Sequence, residues 1–395
     1  MARKSEYEYD IGCVPSTFWF GIVGSNILVP IIALAAGIHV KPDKEFLKAE
    51  GPIILIANHE SFLDPMVTSR LTHGRKVNFV CGEFLFRKHF WGHVFKLGGA
   101  IPKKQFAVDT VAVKAMMKVM KRGGVLVIYP EATRHIDGHS VSDFDDGVAK
   151  LAKKTGAAIY VQHIHGAYMT LPRWSPKVRL RRGRITSEFA RVISKEEVAS
   201  LTVPELDALI KQSIDYDENE WARSTGASFR GRDLADGLQN IAYKCLCCGR
   251  EFAMKPRGNR LICEGCSTAY EYKPDGSIVY GTDGSSVTDL HQWVMWEESE
   301  VLKESDTVDV TTPCEVLREQ DQFTFVKTDE GTLRVAKGVI EFAGREKIRF
   351  ETDKLRGIVC DYGKHFEVYD SKGELYRFTV PGNMVLKIQQ IVKLR

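Results

Sequence analysis

The sequence predicts an α/β sheet domain preceded by an apolar segment and followed by a small metal-binding ribbon and a β-rich domain that ends in a helix. Three observations lead there. Apolar runs alternate with amphipathic helical stretches from Gly51 to about Ile193, the pattern of a sheet with helices on its faces. Two Cys-x-x-Cys knuckles follow, Cys245 with Cys248 and Cys263 with Cys266. From Val308 onward the texture is strand, polar turn, strand.

Ile11 to Ile38 carries no charged side chain, and a bilayer span needs about 20 apolar residues. Gly21, Gly24 and Pro30 interrupt it, so Pro30 is expected to kink the segment or split it into two shorter helices. A transmembrane span, a hairpin in one leaflet and a signal peptide cut near Ala33-Leu34-Ala35 compete. Glu6, Glu8 and Asp10 spoil the basic start of a signal peptide, which favours membrane embedding with the rest of the chain in the cytosol.

Pro52-Ile53-Ile54-Leu55-Ile56-Ala57 reads as a buried strand. Asp109 to Arg122 reads as a helix with Val111, Val113, Met116, Met117 and Met120 on its apolar side, stopped by Gly123-Gly124. Val125 to Ile128 is a strand, Val148 to Lys154 a helix ending at Gly156, and Ala157 to Ile164 a strand. Ser194-x-x-Glu197 and Thr202-Val203-Pro204-Glu205 are two helix starts. Ser286 to Leu302, with Trp293 and Trp296, reads as another helix. Strands are expected at Phe323–Val326, Leu333–Val335, Val339–Phe342, Ile348–Phe350, Phe366–Tyr369 and Leu375–Phe378, with turns at Thr328-Asp329-Glu330-Gly331 and Asp370-Ser371-Lys372-Gly373. Asn383 to Leu394 closes as a helix. Many strands and one last helix suggest, by analogy, a pleckstrin-homology-like domain.

At 395 residues the chain exceeds one ordinary core, and about two or three domains are expected. Apolar content of 44% and charged content of 27% are those of a folded globular protein, and a net charge of +4 does not by itself call for nucleic acid. Arg173, Lys177, Arg179, Arg181, Arg182 and Arg184 cluster, either as a solvated strand face or toward an anionic partner such as a lipid headgroup. The expected division is a membrane-associating segment at 1–40, the sheet domain at 41–193, a helical linker at 194–240, a zinc ribbon at 241–280, a helical connector at 281–304 and the β-rich domain at 305–395.

The knuckles have zinc-ribbon spacing, and four thiolates around a structural Zn²⁺ would replace a hydrophobic core, with Tyr243 and Phe252 packed nearby. Two disulfides are the rival reading, suited to a secreted protein. Cys247 reads as a bystander, and Cys13, Cys81, Cys314 and Cys360 as structural.

Asn58-His59-Glu60-Ser61-Phe62-Leu63-Asp64 sets a histidine and an aspartate just past the first strand. If Asp64 fixes the ring tautomer, His59 can take a proton from a bound hydroxyl. Alternatively Ser61-x-x-Asp64 is a capping box that opens a helix. After the strand at Val125 comes Tyr129-Pro130-Glu131-Ala132-Thr133-Arg134, whose carboxylate and guanidinium could bind a polar group, or pair with each other across a turn. His135, His139, His163 and His165 read as polar strand or loop residues.

Together these blocks resemble the glycerolipid acyltransferase family that includes lysophosphatidic acid acyltransferases. Asn58 to Asp64 matches its N-H-x-S-x-x-D block and Tyr129 to Arg134 its F-P-E-G-T-R block. Leu97-Gly98-Gly99-Ala100-Ile101-Pro102 matches the block between them, and Ala158-Ile159-Tyr160-Val161 lies where the family has a fourth. The resemblance covers roughly the first half of the chain. It implies an acyltransferase α/β domain in which His59 is the general base, Asp64 orients it, and Glu131 and Arg134 help hold a glycerol phosphate. The donor would be a fatty acyl thioester, acyl-CoA or acyl carrier protein, and the acceptor a lysophospholipid such as 1-acylglycerol 3-phosphate, giving phosphatidic acid at the cytoplasmic face of the membrane. No redox cofactor is implied.

This sequence departs from the pattern twice. Ala132 stands in place of the glycine of E-G-T-R, and Lys103, Lys104 and Gln105 stand where the family has a phosphate-contacting arginine; a lysine keeps the charge without the planar fork. A zinc ribbon appended to such an enzyme resembles a bacterial arrangement. Two other readings are kept: a non-catalytic lipid-binding or regulatory protein on the same scaffold, and, ranked last, nucleic-acid binding through Lys244, Arg250, Lys255, Arg257 and Arg260 of the ribbon.

Overall fold

The computed structural model describes residues 10–87, 89–106, 109–140, 144–281, 284–321, 324–355 and 357–394. The chain forms two units, one of Met1–Pro172 with Leu180–Phe229 and the other of Arg173–Arg179 with Arg230–Arg395.

The first unit is built on a six-stranded sheet of β1 (Ile53–Ala57), β2 (Asn78–Gly82), β3 (Ile101–Lys103), β4 (Val125–Ile128), β5 (Ala158–His165) and β6 (Thr186–Ile193). Their order is β3-β2-β4-β1-β5-β6, parallel except for the antiparallel edge strand β6. All five residues of β1 are buried, as a central parallel strand covered on both faces requires. Alternation then sorts the side chains. Ile54, Ile56, Leu126, Ile159 and Val161 join Ala112, Met116, Val119 and Met120 of the helix Thr110–Lys121 on one face. Ile53, Leu55, Ala57, Val125 and Val127 join Phe46, Val67 and Leu71 on the other.

The local signals read from the sequence act where expected. Gly156, left-handed at φ +64°, ends the helix Gly147–Thr155. The helix expected from Asp109 starts at Thr110 because the Asp109 side chain caps it, accepting from the Ala112 amide, and Val111 and Val113, expected on its apolar side, are exposed while Ala112, Ala115 and Val119 are buried. Both capping boxes form, at Ser194/Glu197 and Thr202/Glu205. The helices they open are no linker, however. Val198, Leu206, Ile210 and Ile214 are buried in the same cluster as Ile159 and Val161, so the chain to Phe229 completes the first unit.

The apolar segment is one helical run, Thr17–Ala36, not a hairpin. Thr17–Leu28 is π-helical and Val29–Ala36 α-helical, with Pro30 in the first α turn, where a missing N–H is tolerated. Its Ser25, Val29, Ala33 and Ala36 are buried, and the last two sit in the cluster of Val67 and Leu71. Phe18, Trp19, Ile22, Ile31 and Leu34 are exposed, Leu34 to 86%. Left-handed Gly37 ends the run at φ +69°.

The second unit begins with a five-stranded antiparallel sheet, β7 (Met254–Arg257), β8 (Arg260–Cys263), β9 (Ala269–Tyr272), β10 (Ile278–Tyr280) and β11 (Ser286–Thr288), in order β11-β10-β9-β8-β7. Ser286 therefore opens a strand rather than a helix. The helix runs Leu290–Lys303 because Asp289 caps it, accepting from the Gln292 amide at 2.9 Å. Seven strands follow: β12 (Asp309–Asp321), β13 (Thr324–Ala336), β14 (Val339–Ala343), β15 (Lys347–Glu351), β16 (Val359–Asp361), β17 (His365–Tyr369) and β18 (Leu375–Thr379). Their order, β15-β14-β13-β12-β18-β17-β16, is a four-strand and a three-strand meander joined where β12 pairs with β18. The helix Val385–Lys393 buries Val385, Ile388 and Ile391.

Two expectations change here. Thr328-Asp329-Glu330-Gly331 lies inside β13, paired with β12 through Glu315↔Glu330 and Cys314↔Gly331, because Asp329 accepts the Glu346 amide at 2.8 Å and holds the bent strand. The expected strand Phe323–Val326 begins at a residue outside those described. Arg173 to Arg184 forms no strand face: the stretch is an irregular segment before β6, in which Arg179 pairs with Asp233 at 2.7 Å and Arg181 is buried. No disulfide occurs among the described residues, and burial pushes the Cys81, Cys314 and Cys360 thiols up to about 12.

The helix Val203–Ile214 gives a direct check. Leu206→Ala is expected to cost about 2–5 kcal/mol of unfolding free energy as a core truncation, whereas a solvated linker would lose under about 0.5 kcal/mol. Urea denaturation distinguishes the two.

Candidate active site

Strand carboxyl ends are where ligands meet open α/β sheets, and the adjacency of β1 and β4, in register at Ile56↔Ile128, brings the loops after them together. The first loop is anchored by Asn58. Its amide donates to the Ile164 carbonyl at 2.9 Å and accepts from the Ile164 amide at 2.7 Å, tying the end of β1 to β5.

His59 Nδ1 lies 2.7 Å from Asp64 Oδ2, with the histidine side chain 20% exposed and the aspartate wholly buried. The same oxygen accepts the Glu60 amide at 2.7 Å and the Ser61 amide at 2.8 Å. The expected capping box does not form: the helix Asp64–Leu71 has Leu63 as its cap residue, with no side-chain cap bond, and Ser61 Oγ donates instead to the Leu171 carbonyl at 3.1 Å. The Asp64 carboxylate holds the loop amides and His59 together. A carboxylate on Nδ1 selects the tautomer in which Nε2 of the neutral ring carries the lone pair. The ring stacks on Tyr129 with centroids 4.5 Å apart. Tyr129 shares a hydrogen bond with Thr68 at 3.1 Å, and burial, with Asp64 nearby, keeps its phenol well above the usual range.

The second loop follows β4. The His135 amide donates to the His59 carbonyl at 2.8 Å, joining the loops through the backbone. Glu131 does not pair with Arg134: its Oε2 meets His135 Nε2, while Oε1 is buried without a hydrogen-bond partner among the described residues. The Arg134 guanidinium lies over the Phe62 ring, 3.5 Å from its centroid, which places this cation above the first loop. Lys103 ends β3 and Lys104 follows it, and Gln105 Nε2 reaches the Ala132 carbonyl at 2.5 Å, so this third loop touches the second.

Sequence reasoning did not single out Glu60, Phe62, Gln105, Tyr129 or His135 as parts of the site. The signal for Glu60 and His135 was an ionisable residue directly beside each motif, in segments the strands force inward. His163 and His165 are pinned structurally, to the Ser213 carbonyl and the Tyr216 hydroxyl at 2.9 Å each, and burial lowers both, His165 to about 4.

In the second unit the sulfurs of Cys245 and Cys266 lie 3.7 Å apart, those of Cys248 and Cys263 3.8 Å apart, and all four within 4.8 Å of one another. Four sulfurs about 2.3 Å from a tetrahedral cation would sit about 3.8 Å apart, so the donor set fits a metal ion. The Tyr270 hydroxyl is 3.1 Å from Cys245 Sγ, and Tyr243 stacks on Phe252 at 5.6 Å. Cys247 is exposed beside the cluster.

Ala132 has φ +57°, so the glycine of the family block stands at a left-handed position that alanine occupies here under strain. Its side chain is exposed and packs little. Ala132→Gly is expected to raise stability by about 0.5–1 kcal/mol, the relieved strain less the entropy of glycine, as read by thermal denaturation.

Residues 39–164 match the family model described as Acyltransferase. The chain is 26% identical over 171 residues to a chloroplastic 1-acyl-sn-glycerol-3-phosphate acyltransferase of Arabidopsis thaliana, covering 42% of this chain and 46% of that one. It is 28% identical over 131 residues to a chloroplastic counterpart from Brassica napus (32% and 37%), and 21% identical over 178 residues to the Bacillus subtilis 1-acyl-sn-glycerol-3-phosphate acyltransferase (45% and 89%). The chain thus spans less than half the length of the two plant relatives. The crystal structure of the 1-acyl-sn-glycerophosphate acyltransferase of Thermotoga maritima aligns over 51% of this chain and 81% of that one, with a TM-score of 0.39 and 17% identity. Through residues 39–164 of its sheet domain, this chain is similar to the glycerolipid acyltransferases.

Proposed function

We propose that the protein transfers a fatty acyl chain from a thioester donor, acyl-CoA or acyl carrier protein, to the free hydroxyl of 1-acylglycerol 3-phosphate, giving phosphatidic acid. The observation that carries this reading is the 2.7 Å His59–Asp64 contact at the carboxyl end of β1, with the Arg134 guanidinium on the neighbouring loop. His59 Nε2 takes the hydroxyl proton as the acceptor oxygen attacks the thioester carbonyl carbon, and Asp64 stabilises the imidazolium that forms. The tetrahedral oxyanion collapses, the C–S bond breaks, and the departing thiolate receives the proton from His59. Arg134 binds the acceptor phosphate by its planar fork and Lys103 and Lys104 add point charges. Glu131 offers Oε1 to a glycerol hydroxyl.

The apolar helix supports membrane association. One of its faces is held by the sheet domain and the other is exposed and apolar, which suits a helix seated in the cytoplasmic leaflet better than one crossing it alone. In the second unit four thiolates would close the coordination of a Zn²⁺ and leave no open position, so the zinc is structural. The strand order and the final helix support a pleckstrin-homology-like reading of the β-rich domain.

His59→Ala is expected to lower acyl transfer by about 10²–10⁴-fold while leaving vesicle binding unchanged. Undiminished activity in that variant would sink the reading. A parent chain that forms no product from a panel of lysolipids and thioesters would favour a non-catalytic lipid-binding role. Elemental analysis should find about one zinc per chain, lost in Cys263→Ser, and a metal-free parent with an intact ribbon would remove the zinc assignment.

A further inference from the structure

The dyad accounts for His59 and Asp64 and the acceptor for Glu131 Oε1, but Glu60, His135 and the second oxygen of Glu131, all buried beside them, have no task yet. Glu60 is 0%, His135 2% and Glu131 6% exposed. Charges are kept in such places only when paired, and here one imidazole faces two carboxylates. His135 Nε2 meets Glu131 Oε2, and Nδ1 lies 3.1 Å from Glu60 Oε1, an ion-pair contact angled away from hydrogen-bond geometry. While both carboxyls are ionised, a neutral imidazole with its one N–H would turn a lone pair toward one of them, and only the imidazolium suits both.

The three groups stand on the two loops that build the site. Glu60 lies between His59 and Ser61 on the loop after β1, and Glu131 and His135 flank Arg134 on the loop after β4. The chain of contacts continues outward. Glu60 Oε1 accepts from Asn58 Nδ2 at 2.7 Å, and Asn58 is bonded on both sides to Ile164 of β5. The His135 amide adds the 2.8 Å bond to the His59 carbonyl. Glu60 and His135 occupy positions that the family blocks do not specify.

We propose that the Glu60–His135–Glu131 ion triple is a positioning device that clamps the His59 loop to the Arg134 loop and so sets the separation of base and phosphate-binding arginine. The proposal rests on the acyl-transfer reading for its consequence, though not for the existence of the clamp. Small misplacements of reacting groups are costly in rate, and a triple of buried charges resists sliding in a way that an apolar contact does not.

The surroundings define its pH behaviour. Glu60 and Asp64 face it from the loop after β1 and the helix it opens, and Glu131 from the loop after β4. Glu218 adds a further buried carboxyl at the start of the helix Glu218–Thr225, with Tyr216 just ahead of it. Burial alone would push His135 down, but Glu131 and Glu60 outweigh it and hold the imidazole well above its ordinary range. Burial pushes Glu60 up, against the pull of His135, and pushes Glu218 up with Glu60 adding to it. A raised histidine contributes stability that is complete below about pH 6.5 and is lost as the pH climbs through its raised folded value. The clamp is therefore closed at neutral pH and loosens on the alkaline side.

The test uses the full chain in phospholipid vesicles with 1-acylglycerol 3-phosphate and acyl-CoA. His135→Gln leaves two carboxylates facing each other without a cation. It is expected to lower kcat by about 10–100-fold and to raise the acceptor KM by about fivefold, at an unchanged folded fraction. Glu60→Gln in the His135→Gln background removes one of the two charges and should recover part of the kcat loss when rates are compared per folded chain, which sets it apart from a mere recovery of folding. A folded His135→Gln chain with kcat and KM within about twofold of the parent overturns the proposal. Nitrogen-15 spectra of histidine-labelled parent protein give a second readout, in which the His135 ring should show the imidazolium signature at about pH 8, where an ordinary histidine is neutral. A neutral ring at about pH 7 overturns the clamp even if His135→Gln fails to fold. If the parent shows no turnover, the acyl-transfer reading fails and this resonance still decides the clamp.

Discussion

The site depends on β1 being buried on both faces between β4 and β5. A strand so placed cannot shift by one residue without exchanging its two apolar faces, so the point at which it ends is determined by packing and not by the loop. Asn58 then extends the sheet's hydrogen bonding one residue further through its side chain, to Ile164. His59 begins where that constraint ends. The imidazole thus stands two residues past a fully buried strand, while Glu131 and Arg134 stand on the loop after β4.

At the next level a single oxygen does three things. Asp64 Oδ2 receives two backbone amides and the His59 ring. The aspartate opens its helix without a side-chain cap and spends this oxygen on the loop before it. The amides hold the carboxylate still, and a still carboxylate fixes the tautomer of the ring. The second loop copies the logic with different residues, since His135 is fastened by its own amide and by two carboxylates before Arg134 is presented above Phe62.

Much of this was legible in the sequence. Val125–Ile128 is a strand with the bounds its apolar run implied, and the signals at Gly156, Ser194 and Thr202 all act as local chemistry demands. His59 and Asp64 were legible as a pair because their spacing is local. What escaped depended on partners far along the chain. Thr328-Asp329-Glu330-Gly331 has turn composition yet continues a strand, because Asp329 finds the Glu346 amide, which no local pattern encodes. The helices after Ser194 looked like a connector since their polar faces are as prominent as their apolar ones, and only the burial of Leu206 and Ile210 against β5 assigns them to the sheet. Glu60 was invisible as a site residue because its meaning comes from His135, which lies on another loop.

The packing of the apolar helix has a consequence for handling and reshaping the protein. Ala33 and Ala36 share a cluster with Val67 and Leu71, which belong to the helix whose first residue is Asp64. The greasy segment is therefore a wall of the domain as well as its proposed attachment to lipid. Trimming it away to obtain a soluble fragment would uncover one face of the sheet and unsettle the helix that carries the aspartate. A soluble form is better sought by recolouring the outward positions, Phe18, Trp19, Ile22, Ile31 and Leu34, with polar side chains while Val29, Ala33 and Ala36 stay as they are.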